Sequence, residues 1–176
     1  MATINRKEIV QALERLGQLA RERGITIDLV LVGGALMVLV YEARESTRDV
    51  DAIILEPPQA EMVRELARVV SAERGWMDEW LNDGAKGYLV GLSSGPVVFS
   101  APGIQVRRPA TAQLLAMKLS AWRDDIDIAD ARRLLQEMSG SREDIWHAVE
   151  PYLVPGDELK AQYAFADLWE THNGDN

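Results

Sequence analysis

Gly33-Gly34-Ala35-Leu36, followed by Arg44-Glu45-Ser46-Thr47-Arg48-Asp49-Val50-Asp51-Ala52-Ile53-Ile54, is the stretch on which the reading of this chain turns. Just before it, Ile27–Val32 is an almost continuous apolar run rich in β-branched residues, which predicts a buried strand. The glycine pair breaks that strand, and residues 35–43 resume as an apolar helix. Residues 49–55 predict a second buried strand, ended by Pro57-Pro58. On a strand, side chains at i and i+2 share a face, with Cα atoms about 6.5–7 Å apart. Asp49 and Asp51 are therefore expected side by side at the strand's N-terminal end. Val50, Ala52 and Ile54 take the other face, and Ile53 and Leu55 carry the aspartate face into the core. Two like charges at that spacing repel unless a cation lies between them. Hard oxygen ligands without a nearby His or Cys suit magnesium or manganese.

Outward from this stretch, residues 5–22 predict an amphipathic helix built on Ile9, Leu13, Leu16 and Ala20 and closed by Gly24. Met62, Val63, Leu66, Val69 and Val70 predict another, running up to Gly75. Residues 88–92, 96–100 and 104–106 are short β-like pieces separated by Gly and Pro. From Thr111 the chain is expected to be helical to its end. Leu114, Leu115 and Leu119 make one apolar face; Ile128, Ala131, Leu134, Leu135 and Met138 make the next. Ser141 with Asp144 three residues on reads as a capping box, and residues 157–170 predict a last helix. The expected architecture is α+β: a small mixed sheet flanked by helices over residues 1–108, then a helical region over 109–176.

Composition narrows the function classes. With 176 residues, 47% apolar and 27% charged, the chain is long and apolar enough for a sizeable core. Cysteine is absent, which excludes disulfides, thiolate zinc sites and a cysteine nucleophile. His147 and His172 are the only imidazoles. No apolar run approaches the roughly 20 residues of a membrane span, and a cytoplasmic setting without membrane contact is expected. The formal charge of −9 is unevenly spread. Residues 101–123 hold Arg107, Arg108, Lys118 and Arg123 and no acid, whereas residues 143–176 hold eight acids against Lys160 alone. Such a chain is not expected to hold long nucleic acid through charge alone.

The glycine turn offers backbone amides to a phosphate, with Arg44, Ser46 and Arg48 as flanking donors. A divalent cation beside a phosphate cradle is what nucleotidyl transfer requires. The stretch Gly-Gly-Ala-Leu … Arg-x-Ser-Thr-Arg-Asp-Val-Asp-Ala-Ile resembles the signature of the DNA polymerase β-like nucleotidyltransferase superfamily. It looks closest to the minimal bacterial branch of abortive-infection and toxin–antitoxin nucleotidyltransferases. Trp80-Leu81-Asn82-Asp83 with Gly84-Ala-Lys-Gly resembles a tract between that branch's active-site strands. Leu114-Leu115-Ala-Met-Lys118-Leu-Ser-Ala-Trp-Arg123, then Asp127-Ile-Ala-Asp130-Ala-Arg-Arg-Leu134-Leu135, resembles its lysine and acidic motifs.

The resemblance implies transfer of a nucleoside monophosphate from an NTP, at a site between the two halves of the chain. It assigns Gly33 and Gly34 to the triphosphate, Asp49 and Asp51 to Mg²⁺ or Mn²⁺, Lys118 to the nucleotide phosphates, and Asp127 or Asp130 to support from the helical half. The acidic motif fits two registers, Asp124 with Asp127 or Asp127 with Asp130; Leu134-Leu135 favours the second. The acceptor it implies is a tRNA, a protein or a small molecule, and a toxin of this branch has a cognate antitoxin as partner. Ala35 stands where many relatives have Ser. Larger relatives carry a third carboxylate on a later strand, while residues 84–123 contain no Asp or Glu. The base then comes from Asp83, Asp127 or Asp130, or the acceptor is deprotonated without one. A nucleotide-binding or protein-interaction module without catalysis is the alternative.

Overall fold

A computed structural model describes residues 2–174 and shows a mixed α+β fold. The elements in chain order are β1 (Ile4–Asn5), α1 (Arg6–Glu22), β2 (Ile27–Val32), α2 (Gly33–Leu39), β3 (Ser46–Thr47), β4 (Val50–Ile54), α3 (Ala60–Arg74), β5 (Leu81–Asn82), β6 (Val97–Ala101), β7 (Ile104–Arg107), α4 (Thr111–Ala121), α5 (Asp125–Gln136), α6 (Arg142–Val149) and α7 (Glu158–Gly174). They form two compact units: residues 2–86 with 95–108, and residues 87–94 with 109–174. No helix among the described residues is long and apolar enough to cross a membrane.

The first unit holds a five-stranded sheet in the order β5-β4-β2-β7-β6, and β1 pairs with β3 in a separate two-stranded ribbon. β2 is central, antiparallel to β4 and parallel to β7, which is why its sequence is a nearly unbroken apolar run. α1 opens with a reciprocal capping box, Asn5 with Glu8, and buries Ile9, Leu13, Leu16 and Ala20 completely, the face its periodicity predicts. Val50 and Ala52 are buried on β4 as expected. Ile53 and Leu55, expected in the core, are only half-buried, because β5 pairs with Val50 and Asp51 and goes no further.

Helix α1 lies unusually close to the β6–β7 turn. A Cβ on Gly17 would sit 2.6 Å from the Pro102 carbonyl, and one on Gly103 would be driven into the Gly17 carbonyl. Gly103 also has φ +85°. Gly103→Ala is therefore expected to cost about 2–4 kcal/mol in urea unfolding, overpacking added to backbone strain. Gly24→Ala, with φ +70° but nothing within 4 Å of the new methyl, is expected to cost only about 1 kcal/mol.

In the second unit α4 is the hub, packed by α5, α6 and α7. Ser141 and Asp144 form the anticipated capping box at α6. The β-like reading of residues 88–92 is corrected, since these residues form no strand. Two of their carbonyls are met instead by Gln113, a fully buried residue of α4. Its Nε2 donates to the carbonyls of Val90 and Gly91 (3.1 Å each), and its Oε1 accepts from the Ser93 N–H (2.8 Å) and hydroxyl (2.6 Å). One amide thus replaces a sheet partner.

Candidate functional site

In the first unit, β2 delivers the chain to the glycine turn directly beside β4, since Val32 is the pairing partner of Asp51. Gly33 has φ +66°, a left-handed conformation that bends strand into helix. The turn also needs glycine for space: a Cβ on Gly33 would lie 2.7 Å from Asp51 Oδ2. A second glycine closes on the same carboxylate, as a Cβ on Gly84 would lie 3.6 Å from Asp51 Oδ1. Asp51 is thus flanked on either side by main chain without side chains.

Gly34 packs against the loop that precedes β4. A Cβ there would meet Thr47 Oγ1 at 2.5 Å and Arg44 Nη1 at 3.2 Å. Of the flanking donors expected from the sequence, Arg44 is therefore the one brought to the glycine turn. Arg48 is exposed, and Ser46 lies on β3 opposite Asn5. The hydroxyl against Gly34 belongs to Thr47, which is buried on the same strand. Two-residue alternation places one of Ser46 and Thr47 inward, and the pairing of Ile4 with Thr47 decides which.

Asp49 and Asp51 are both half-buried. Beside them on β5 lies Asn82, the pairing partner of Asp51. Its Nδ2 donates to Asp49 Oδ2 (3.1 Å) and to the Glu79 carbonyl (3.1 Å), while its Oδ1 accepts from the Gly84 N–H (2.8 Å). Trp80 anchors this strand from below: it is fully buried and donates its indole N–H to the Ala67 carbonyl at 2.8 Å. Among the described residues no group of three or more His, Cys, Asp or Glu is placed to hold a metal. Two carboxylates are nevertheless a fitting donor set for Mg²⁺, which is bound by one or two protein carboxylates and completes its shell with water and substrate phosphates.

The second unit gathers Lys118, Asp127 and Asp130. Lys118 Nζ stands 3.1 Å from Asp127 Oδ1 and 2.8 Å from Asp130 Oδ2, and both carboxylates are buried. Trp122 ends α4 in the left-handed conformation (φ +36°) and turns the chain so that Arg123 also meets Asp127, through its backbone N–H (3.0 Å) and Nε (3.0 Å). Of the two registers for the acidic motif, the ion cluster uses Asp127 with Asp130. Asp124 is the N-cap of α5, accepting from the N–H groups of Ile126 and Asp127.

Burial alone pushes the Asp127 pKa up. The Arg123 side chain and N–H, together with Lys118, outweigh it and hold the carboxyl down at about 2. A folded-state value below the unfolded one (about 3.9) stabilises at neutral pH and is lost as pH falls through about 2. Urea unfolding is expected to show about 2 kcal/mol less stability from this group at pH 2 than at pH 6, a dependence that Asp127→Asn removes.

No protein-family model, curated protein or solved structure matches this chain.

Proposed function

We propose that the chain is a metal-dependent nucleotidyltransferase that moves a nucleoside monophosphate from an NTP to an acceptor hydroxyl. The observation that carries this reading is the juxtaposition of the Gly33-Gly34 turn with the Asp49–Asp51 pair. Main chain without side chains lies against the Asp51 carboxylate, with Arg44 and Thr47 closing the other side of the turn. In the reaction the acceptor oxygen forms a bond to the α-phosphorus and gives its proton to water, the bond from that phosphorus to the oxygen bridging to the β-phosphate breaks, and pyrophosphate leaves. Asp49 and Asp51 would hold Mg²⁺ or Mn²⁺, which supplies charge neutralisation at the α-phosphate and acidification of the attacking hydroxyl. The glycine turn admits the triphosphate close to the main chain, and Arg44 offers a charge-assisted donor. The acceptor is a tRNA, a protein or a small molecule, and the activity is that of a toxin held by an antitoxin.

The test is incubation with each α-labelled NTP, Mg²⁺ and, in turn, total RNA, cell protein and small-molecule alcohols, with Asp49→Ala beside the wild type. Label transferred by the wild type and lost in the variant supports the reading; transfer unaffected by Asp49→Ala refutes the site. Mg²⁺-dependent NTP binding without transfer to any acceptor supports the non-catalytic module instead. Ala35 after the glycines, with no hydroxyl to offer a phosphate, favours that second reading.

A further inference from the structure

Asn82 was legible in the sequence only as part of a tract, and its chemistry emerges from three hydrogen bonds. As the pairing partner of Asp51 on a parallel neighbour, it presents its side chain on the face of the two aspartates. The amide's orientation follows from its partners. The end that meets the Asp49 carboxylate and the Glu79 carbonyl faces two acceptors and must be the NH₂, while the end that meets the Gly84 N–H must be the oxygen. Asn82 therefore contributes donors beside the carboxylates and no negative charge.

We infer that Asn82 is a positioning residue that aims Asp49 and keeps the site at two negative charges, so that a divalent cation is held firmly only together with a nucleoside triphosphate. The inference rests on the nucleotidyl-transfer reading for what fills the site. Two carboxylates leave most of an octahedral shell to water, and triphosphate oxygens supply ligands the protein does not. An anionic side chain at position 82 would turn the pair into a resident metal site. The amide also ties Asp49 to the Gly84 turn, which lies beside Asp51.

The test is binding, measured without turnover. Mn²⁺ alone is titrated by electron paramagnetic resonance, and whichever of ATP, CTP, GTP and UTP binds most tightly is titrated by calorimetry with and without Mn²⁺. Asn82→Asp is expected to bind Mn²⁺ alone about tenfold more tightly than the wild type, through the added charge. Its melting temperature should rise on adding Mn²⁺, which checks that the variant is folded. Asn82→Ala is expected to lose about tenfold of the Mn²⁺-dependent part of nucleotide affinity, as loss of a group orienting a metal ligand does. Unchanged Mn²⁺ affinity in Asn82→Asp, or wild-type nucleotide binding in Asn82→Ala, overturns the inference. The double variant Asp49→Asn/Asp51→Asn separates the two levels. If it binds Mn²⁺ and nucleotide as the wild type does, or if the wild type binds neither, the nucleotidyl-transfer reading fails and this inference with it. If it loses both while the Asn82 variants behave as wild type, only the role of Asn82 is wrong.

Discussion

Asp51→Asn is expected to lower nucleotide transfer by about three orders of magnitude with the fold retained. Few substitutions isolate charge from shape at this position. The carboxylate lies tight against Gly33 with Gly84 nearby, and its strand position is fixed by pairing with Val32 on one side and Asn82 on the other. Asparagine keeps the volume and the planar head while removing the charge. Glutamate would push the carboxylate into one of the glycines, and alanine would leave a gap. The measurement is single-turnover transfer at saturating NTP, with circular dichroism melting as the control on folding. A variant that keeps a tenth of wild-type transfer would place the cation elsewhere.

Lys118→Met is expected to destabilise the helical unit by about 3–5 kcal/mol, because it leaves Asp127 and Asp130 buried with one of their cations gone. Removing one partner of a buried cluster costs far more than the cluster itself contributes. Asp127 keeps Arg123, and Asp130 loses the ammonium that stands 2.8 Å from it. Adding Asp130→Asn to Lys118→Met should recover a substantial part of the loss, and a double-mutant cycle in urea measures the coupling. If Lys118→Met leaves stability unchanged, the ammonium is not needed by its two carboxylates. Nucleotide affinity in the same variants reports separately on the phosphate-binding role that the family resemblance gives Lys118.

Periodicity and punctuation carried much of the architecture. The strands at 27–32 and 50–54, the α1 face and the Ser141 capping box all follow from local rules. What local rules do not contain is pairing. Residues 88–92 have the apolar look of a strand, yet no strand pairs with them, and a glutamine more than 20 positions away takes up the Val90 and Gly91 carbonyls. The same limit applies at the candidate site. The spacing of Asp49 and Asp51 implies a shared face, but that Asn82 and Gly84 lie beside them depends on β5 pairing with β4 across some thirty residues. Thr47 rather than Ser46 faces Gly34 because β3 pairs with a strand at the chain's beginning.

β5 has one further effect. It stops at Asn82, opposite Asp51, whereas β4 runs on to Ile54. Leu55 donates its N–H to Asp28, so the residues that alternate with it, Ala52 and Ile54, turn their main-chain groups away from β2. They open onto a cavity of about 420 Å³ whose walls include Arg64, Arg68 and Lys86. Such a rim is where two molecules of one protein join edge to edge and begin to aggregate. The same walls carry Asp78, Glu79 and Asp83, with Asp83 paired to Arg64, so charged side chains of both signs stand along an edge that the short last strand leaves uncovered, and a second strand pairing there would have to desolvate them.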